Sequence, residues 1–129
     1  MKYNYLEIIE LSLSSRKFAY APYSKFKVGA ALLTKSGNLF AGANIESASF
    51  SLTICAERVA YSKAISAGEK DIIAIAIASN KRDYLFPCGA CRQFMSEFGE
   101  ETEVILVKSK KEFKTYKLKQ LLPEVFSLK

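Results

Sequence analysis

Three cysteines and one glutamate carry the chemistry this sequence offers. Cys88 and Cys91 stand in the string Pro87-Cys88-Gly89-Ala90-Cys91, and Cys55 opens the string Cys55-Ala56-Glu57. An i, i+3 pair at a helix start puts two sulfurs on one face, close enough to share a metal ion. A helix N-terminus carries roughly half a positive charge, which favours thiolates. Three thiolates select zinc over calcium or magnesium. A structural zinc site has four protein ligands, yet this chain has three cysteines and no histidine. If the three sulfurs meet, the site therefore has an open position unless a carboxylate fills it. An open position that takes water marks a catalytic zinc. The bland alternative is three separate buried thiols, which the Pro-Cys-x-x-Cys string disfavours. Glu57 stands two residues after Cys55, in a chain whose missing histidine leaves any acid–base task to Glu, Asp, Lys, Tyr or Cys. Its bland reading is a first-turn glutamate that favours the helix dipole.

Charge supplies a check on this arrangement. Zinc(II) with three thiolates carries a net charge of −1 and polarises water less than zinc on neutral imidazoles, so a nearby cation is expected. Arg58 and Arg92 each follow a site residue, in helix turns where arginine is electrostatically unfavourable. Both are expected to donate hydrogen bonds to the thiolate sulfurs.

The missing histidine excludes Ser-His-Asp and Cys-His nucleophile schemes and the two-histidine metal motifs. An odd cysteine count closes no disulfide framework. The opening Met1-Lys2-Tyr3-Asn4-Tyr5-Leu6-Glu7 lacks the apolar run of a secretory leader. The longest unbroken apolar run, Ile72 to Ala78, is far below the ~20 residues of a membrane span. The chain is expected to be a soluble cytoplasmic protein with reduced thiols, no membrane partner and, at 129 residues, a single domain over 1–129. The net charge of +6 invites a nucleic-acid partner. Much of it falls on Lys108, Lys110, Lys111, Lys114, Lys117 and Lys119, which alternate with apolar residues like a charged sheet edge. No aromatic-glycine pattern of the RNA-recognition type accompanies them, so no nucleic-acid partner is expected.

The elements that must position these groups follow from periodicity and breakers. Residues 5–19 read as a helix with Leu6, Ile9 and Leu13 on its apolar face, stopped before Pro22. Val28–Thr34 and Leu39–Ala43 read as a hairpin around Lys35-Ser36-Gly37-Asn38, and residues 44–53 as a loop. Cys55–Ala67 is a helix ended by Gly68, Ile72–Ser79 a strand buried on both faces, and Asn80–Pro87 a loop. Gly89–Phe98 is a second site-bearing helix. Glu103–Val107 and Phe113–Leu118 are strands, and Leu118–Leu122 a short helix before Pro123. The order αββαβαββα is that of an α/β sandwich with mixed strand directions.

The two cysteine strings match the all-cysteine form of the zinc-deaminase signature, in which the glutamate is acid/base rather than ligand. Over nearly its whole length the chain resembles the small zinc-dependent cytidine deaminases that act on free nucleosides. The resemblance rests on Ala19-Tyr20-Ala21-Pro22-Tyr23-Ser24-Lys25-Phe26, Val28-Gly29-Ala30-Ala31-Leu32, Gly42-Ala43-Asn44-Ile45-Glu46, Ile54-Cys55-Ala56-Glu57-Arg58, Pro87 to Gln93, Leu121-Leu122-Pro123 and Phe126. It implies a three-layer α/β/α sandwich on a central five-stranded mixed sheet. It also implies one Zn2+ per subunit on Cys55, Cys88 and Cys91, with Glu57 as the proton shuttle. Phe26 then lies against the pyrimidine, Asn44 and Glu46 hold the ribose hydroxyls, and Ala56 contacts the substrate. Phe126 reaches the active site of a neighbouring subunit in a homotetramer whose sites are completed across interfaces. The implied reaction is deamination of cytidine and 2′-deoxycytidine to uridine and 2′-deoxyuridine, within pyrimidine salvage. Phe86 departs from the resemblance, standing before Pro87 where a small polar residue is common; Ala43 and Ser47 are lesser departures.

Three alternatives compete. A tRNA or polynucleotide deaminase would suit the positive charge, but the short turn between the last two strands fits an antiparallel pair, whereas that type uses a crossover. A blasticidin-S-type deaminase shares the zinc strings. A structural zinc protein that binds nucleic acid needs a fourth ligand and gives Glu57 no task.

Overall fold

The computed structural model describes residues 3–129; Met1 and Lys2 of the leader reading lie outside them. Five strands form one sheet in the order β2-β1-β3-β4-β5: β1 Val28–Thr34, β2 Leu39–Ala43, β3 Ile72–Ser79, β4 Glu103–Val107 and β5 Phe113–Lys117. The β1/β2, β1/β3 and β4/β5 pairs are antiparallel and β3/β4 is parallel. The mixed directions expected from the sequence are present, including the antiparallel final pair. The helices are α1 Tyr5–Ser15, α2 Ala56–Ser66, α3 Gly89–Ser96 and α4 Leu118–Leu121. The first, α1, covers one face; α2 and α3 cover the other, completing the three-layer α/β/α sandwich.

The two faces are built from different residues because strand side chains alternate. Along β3, Ile75 and Ile77 fill the α2/α3 side, while Ala74, Ala76 and Ala78 face α1. Small residues there let α1 lie close to the sheet. This corrects the expected apolar face of α1. The residues it buries are Ile8, Ile9, Ser12 and Ser15, while Leu6 is exposed and Leu13 only partly covered. The serines bond back to helix carbonyls, Ser12 to Ile9 and Ser15 to Leu11, both at 2.7 Å, so their burial leaves no hydroxyl unmet.

The close approach is sharpest at Gly29. A Cβ there would stand 2.1 Å from the Ser12 carbonyl oxygen and 2.8 Å from the Arg16 nitrogen, both backbone atoms. Gly29→Ala is therefore expected to destabilise the chain by about 3 kcal/mol, or roughly 10 °C in melting temperature. Calorimetry on the purified variant checks this; a melting temperature unchanged from wild type would refute the close packing.

Helix α1 stops earlier than the expected residue 19, passing at Arg16–Phe18 into a 3-10 turn. Arg16 explains the change: its guanidinium donates to Leu13 O at 2.8 Å and to Ser79 O at 2.9 Å, anchoring the turn to the end of β3. At the sheet edge, β5 is mostly exposed and carries Lys114 and Lys117, as a charged edge strand should.

Candidate metal and substrate site

The cavity opens at the end of the sheet where β1 begins and β3 ends, since Val28 pairs with Ser79. Two helix N-termini converge there. Cys55 is the N-cap of α2, with φ −71° and ψ 152°, and Cys88 the N-cap of α3, with φ −67° and ψ 165°. Cys88 caps in the literal sense, its sulfur accepting from the Cys91 N–H at 3.4 Å. Cys91 lies fully buried one turn into α3.

The sulfurs of Cys55, Cys88 and Cys91 all lie within 4.8 Å of one another, and the Cys55 and Cys88 sulfurs are 3.8 Å apart. Tetrahedral zinc with Zn–S bonds of about 2.3 Å separates its sulfurs by about 3.8 Å, so the trio fits the ion. No carboxylate joins the group of metal-binding atoms among the described residues, which leaves three protein ligands. Hydrogen bonds from the Cys91 thiol, and from Arg58 and Cys88, hold Cys55 well below the usual thiol range. The same partnership, together with burial, pushes Cys91 up. A bound cation replaces such shared protons.

Arg58 donates Nη2 to the Cys55 sulfur at 3.8 Å and to Thr53 O at 3.4 Å. Arg92 behaves otherwise, and the expectation that it donates to a thiolate is corrected. Its Nε donates to Pro87 O at 2.7 Å and its Nη1 to Leu121 O at 2.6 Å. The physical reason is that those carbonyls, ahead of one helix and at the end of another, have no intrahelical donors. The positive charge beside the sulfurs comes from Arg58.

Glu57 is 3% exposed, and among the described residues it is the only carboxylate buried to this degree. Burial pushes its carboxyl up to about 7, with the Cys55 thiolate adding to the rise. A carboxyl group poised near neutrality both takes and gives protons.

Phe26, Asn44, Glu46, Ala56 and Glu57 line a cavity of about 360 Å³ together with Cys55 and Cys88. Size alone does not single it out. A groove of about 720 Å³ around Glu103 is larger, but it opens at the other end of the sheet and contains no cysteine. The loop before α2 is pinned on both sides. Ile45 exchanges two 2.9 Å backbone hydrogen bonds with Ile54, and Tyr20 O accepts from Glu46 N at 2.8 Å. Asn44 and Glu46 thus face the cavity from a backbone continuous with Cys55. Asn44 has a further task that its sequence position does not reveal: Oδ1 accepts from Val28 N at 2.9 Å and Nδ2 donates to Phe26 O at 2.8 Å. One N–H of its amide stays available to a ligand. The Glu46 carboxylate accepts from Tyr23 N at 3.0 Å and from both the N–H and the hydroxyl of Ser24; the hydroxyl contact above all holds its pKa down.

Phe126 does not line this cavity of its own chain; the residue is 70% exposed. The cavity wall also includes Ser24, Thr53, Leu85 and Phe86. Of these, the sequence marks only Phe86 for its side chain, as a departure from the resemblance. Its ring packs on Tyr116 of β5 with centroids 5.6 Å apart.

Comparison with known proteins agrees with this geometry. Residues 3–108 match the model of the cytidine and deoxycytidylate deaminase zinc-binding region. The chain is 48% identical over 120 residues to a probable cytidine deaminase of Dictyostelium discoideum, covering 92% of this chain and 81% of that protein. It is 45% identical to a cytidine deaminase of Halalkalibacterium halodurans, covering 93% of this chain and 92% of the other. The structure superposes on the crystal structure of cytidine deaminase from Burkholderia pseudomallei with a TM-score of 0.91 at 42% identity, covering 96% of this chain and all of that one.

Proposed function

The chain belongs to the cytidine and deoxycytidylate deaminase family, and we propose that it hydrolyses cytidine and 2′-deoxycytidine to uridine and 2′-deoxyuridine, releasing ammonia. The observation that carries this reading is a buried carboxylate, Glu57, facing the same cavity as a three-sulfur cluster. One zinc ion held by Cys55, Cys88 and Cys91 supplies a Lewis acid that makes water acidic. Glu57 takes a proton from the attacking water and delivers it to N3 of the ring. It then takes the remaining proton from the oxygen now bonded to C4 and delivers it to the amine as the C4–N bond breaks and ammonia leaves, so one carboxylate serves both transfers and no histidine is needed. Phe26 lies against the pyrimidine and Ala56 presents its backbone to the base. The free N–H of Asn44 and the Glu46 carboxylate hold the sugar hydroxyls. Arg58 offsets the charge of the three thiolates. Three free cysteines suit a reducing cytoplasm, and the products suit pyrimidine salvage.

An ultraviolet assay on cytidine, deoxycytidine, blasticidin S and a tRNA tests the reading. Both nucleosides are expected to lose absorbance. Turnover confined to blasticidin S or to tRNA would transfer the chain to one of those types, and a zinc-loaded chain that deaminates none of the four would be a structural zinc protein.

The assembly belongs to the same proposal. A homotetramer would cover Phe18, Phe50 and Leu52, large apolar side chains exposed on the single chain, and would bring Phe126 to a neighbour's cavity. Light scattering is expected to give four times the 14.4 kDa chain mass. A species of one chain mass at micromolar concentration would overturn it.

A further inference from the structure

Helix α3 has two tasks. Its first turn carries Cys88 and Cys91, and its outer side holds the end of the chain. Arg92 joins Pro87 O, directly before the Cys88 cap, to Leu121 O, at the last residue of α4. Next to it, Gln93 donates Nε2 to Phe126 O at 3.0 Å. A guanidinium is a rigid planar fork whose donors keep a fixed spacing, and bonds from it to carbonyls are charge-assisted. Arg92 therefore fixes the distance between the turn that presents Cys88 and the helix that starts the C-terminal segment. If Cys88 shifts, Pro87 O shifts with it, and the fork must release one carbonyl or pull Leu121 along.

We propose that Arg92 is a positioning residue that couples the metal site to the C-terminal segment: zinc on Cys88 and Cys91 orders residues 118–129, and the seated segment retains zinc. The inference rests on the three cysteines being a zinc site and not on the identity of the substrate. Reciprocity is required, because a coupling free energy between two sites acts equally in both directions. Arg92 works through the turn and the segment, not through the sulfurs, which it does not touch.

Two measurements on the full chain test this, and neither reads activity. In the wild type, stripping zinc with a chelator is expected to speed amide hydrogen exchange in residues 118–129 by about 10-fold while β3 stays protected. In Arg92→Ala, zinc is expected to pass to a chromophoric chelator about 10-fold faster or more, the usual size of an outer-shell effect on a metal site. Exchange in the segment should then be fast with or without zinc. Arg92→Lys keeps the charge but not the fork, and is expected to fall between the two. Wild-type zinc release in Arg92→Ala, or an Arg92→Lys indistinguishable from wild type, overturns the coupling. If Arg92→Ala does not fold, the wild-type exchange experiment decides alone: a segment blind to zinc overturns the proposal. A wild type that takes up no zinc overturns both the site reading and this inference. Zinc-dependent exchange without deamination would sink only the catalytic reading.

Discussion

Glu57→Gln is expected to lower deamination of cytidine by about 10,000-fold, the upper end of what a single acid–base group contributes. The substitution keeps the shape and the burial of the side chain but removes its capacity to take or give a proton. Zinc content should stay at one ion per chain, because the three sulfurs are untouched. Initial rates and metal analysis on the same sample decide; undiminished activity refutes the proton-shuttle role.

The same variant has an opposite effect on stability, with a sign fixed by the pKa. The Glu57 carboxyl is raised to about 7 from an ordinary 4.5, so folding disfavours its charged form. Below pH 4.5 the group is protonated in both the folded and the unfolded state and carries no penalty. As pH rises from 4.5 to 7 the unfolded chain ionises first, and the folded state loses ground. Above 7 the full cost is present, about 3 kcal/mol for a carboxyl displaced this far. Metal-free Glu57→Gln should therefore be more stable than metal-free wild type at pH 8, with the advantage gone below pH 4.5. Denaturant titrations at both pH values check it. Equal stability at pH 8 would mean that the buried carboxylate costs nothing.

The second large effect is expected at Gly42. A Cβ there would stand 2.6 Å from both Ala56 O and Ala60 N, backbone atoms of α2. A helix cannot yield at two backbone atoms, so Gly42→Ala must push α2 off the sheet. The clash falls on Ala56, Val59 and Ala60, and Ala56 stands between Cys55 and Glu57, so a displacement of this turn carries a metal ligand and the proton shuttle with it. A shift on the order of 1 Å at such groups can cost about 100-fold in rate, on top of about 3 kcal/mol of stability. Gly29→Ala is the matched control, since it lifts α1 on the opposite face. Below the melting temperature of each variant, activity per folded molecule is expected to survive in Gly29→Ala and to collapse, with zinc content, in Gly42→Ala. Equal activity in both would show that α2 does not set the site.

Much of this architecture was readable because its signals are local. Apolar runs mark β1 and β3, Gly68 marks a helix end, and the spacing of Cys88 and Cys91 needs only one turn of helix to become geometry. The failures were non-local. Leu6 and Leu13 are more apolar than Ser12 and Ser15, yet the serines face the sheet. The deciding partner is Gly29, whose approach requires small side chains, and no window of helical sequence contains it. Arg92 was expected at the sulfurs because Cys91 is its neighbour in sequence. Its nearest acceptor in space belongs to Leu121, at the end of another helix. The resemblance points Asn44 at substrate alone, and its hold on Phe26 and Val28 depends on β1 lying beside its loop.

The position of β3 also has a consequence for the order in which the protein matures. Cys55 precedes this strand in the chain and Cys88 follows it, while in the sheet β3 lies between β1 and β4. On a nascent or unfolded chain, Cys88 and Cys91 are close enough to grip a metal ion at once, whereas Cys55, 33 residues before Cys88, must first close a long loop. The third sulfur arrives once β3 has paired across the long separation to β1, the slow step that non-local strand pairing imposes. Zinc therefore consolidates a chain that has already found its topology, where in a zinc finger it drives folding from the start. The polypeptide's own hydrophobic core must suffice to bring it to the threshold of metal uptake.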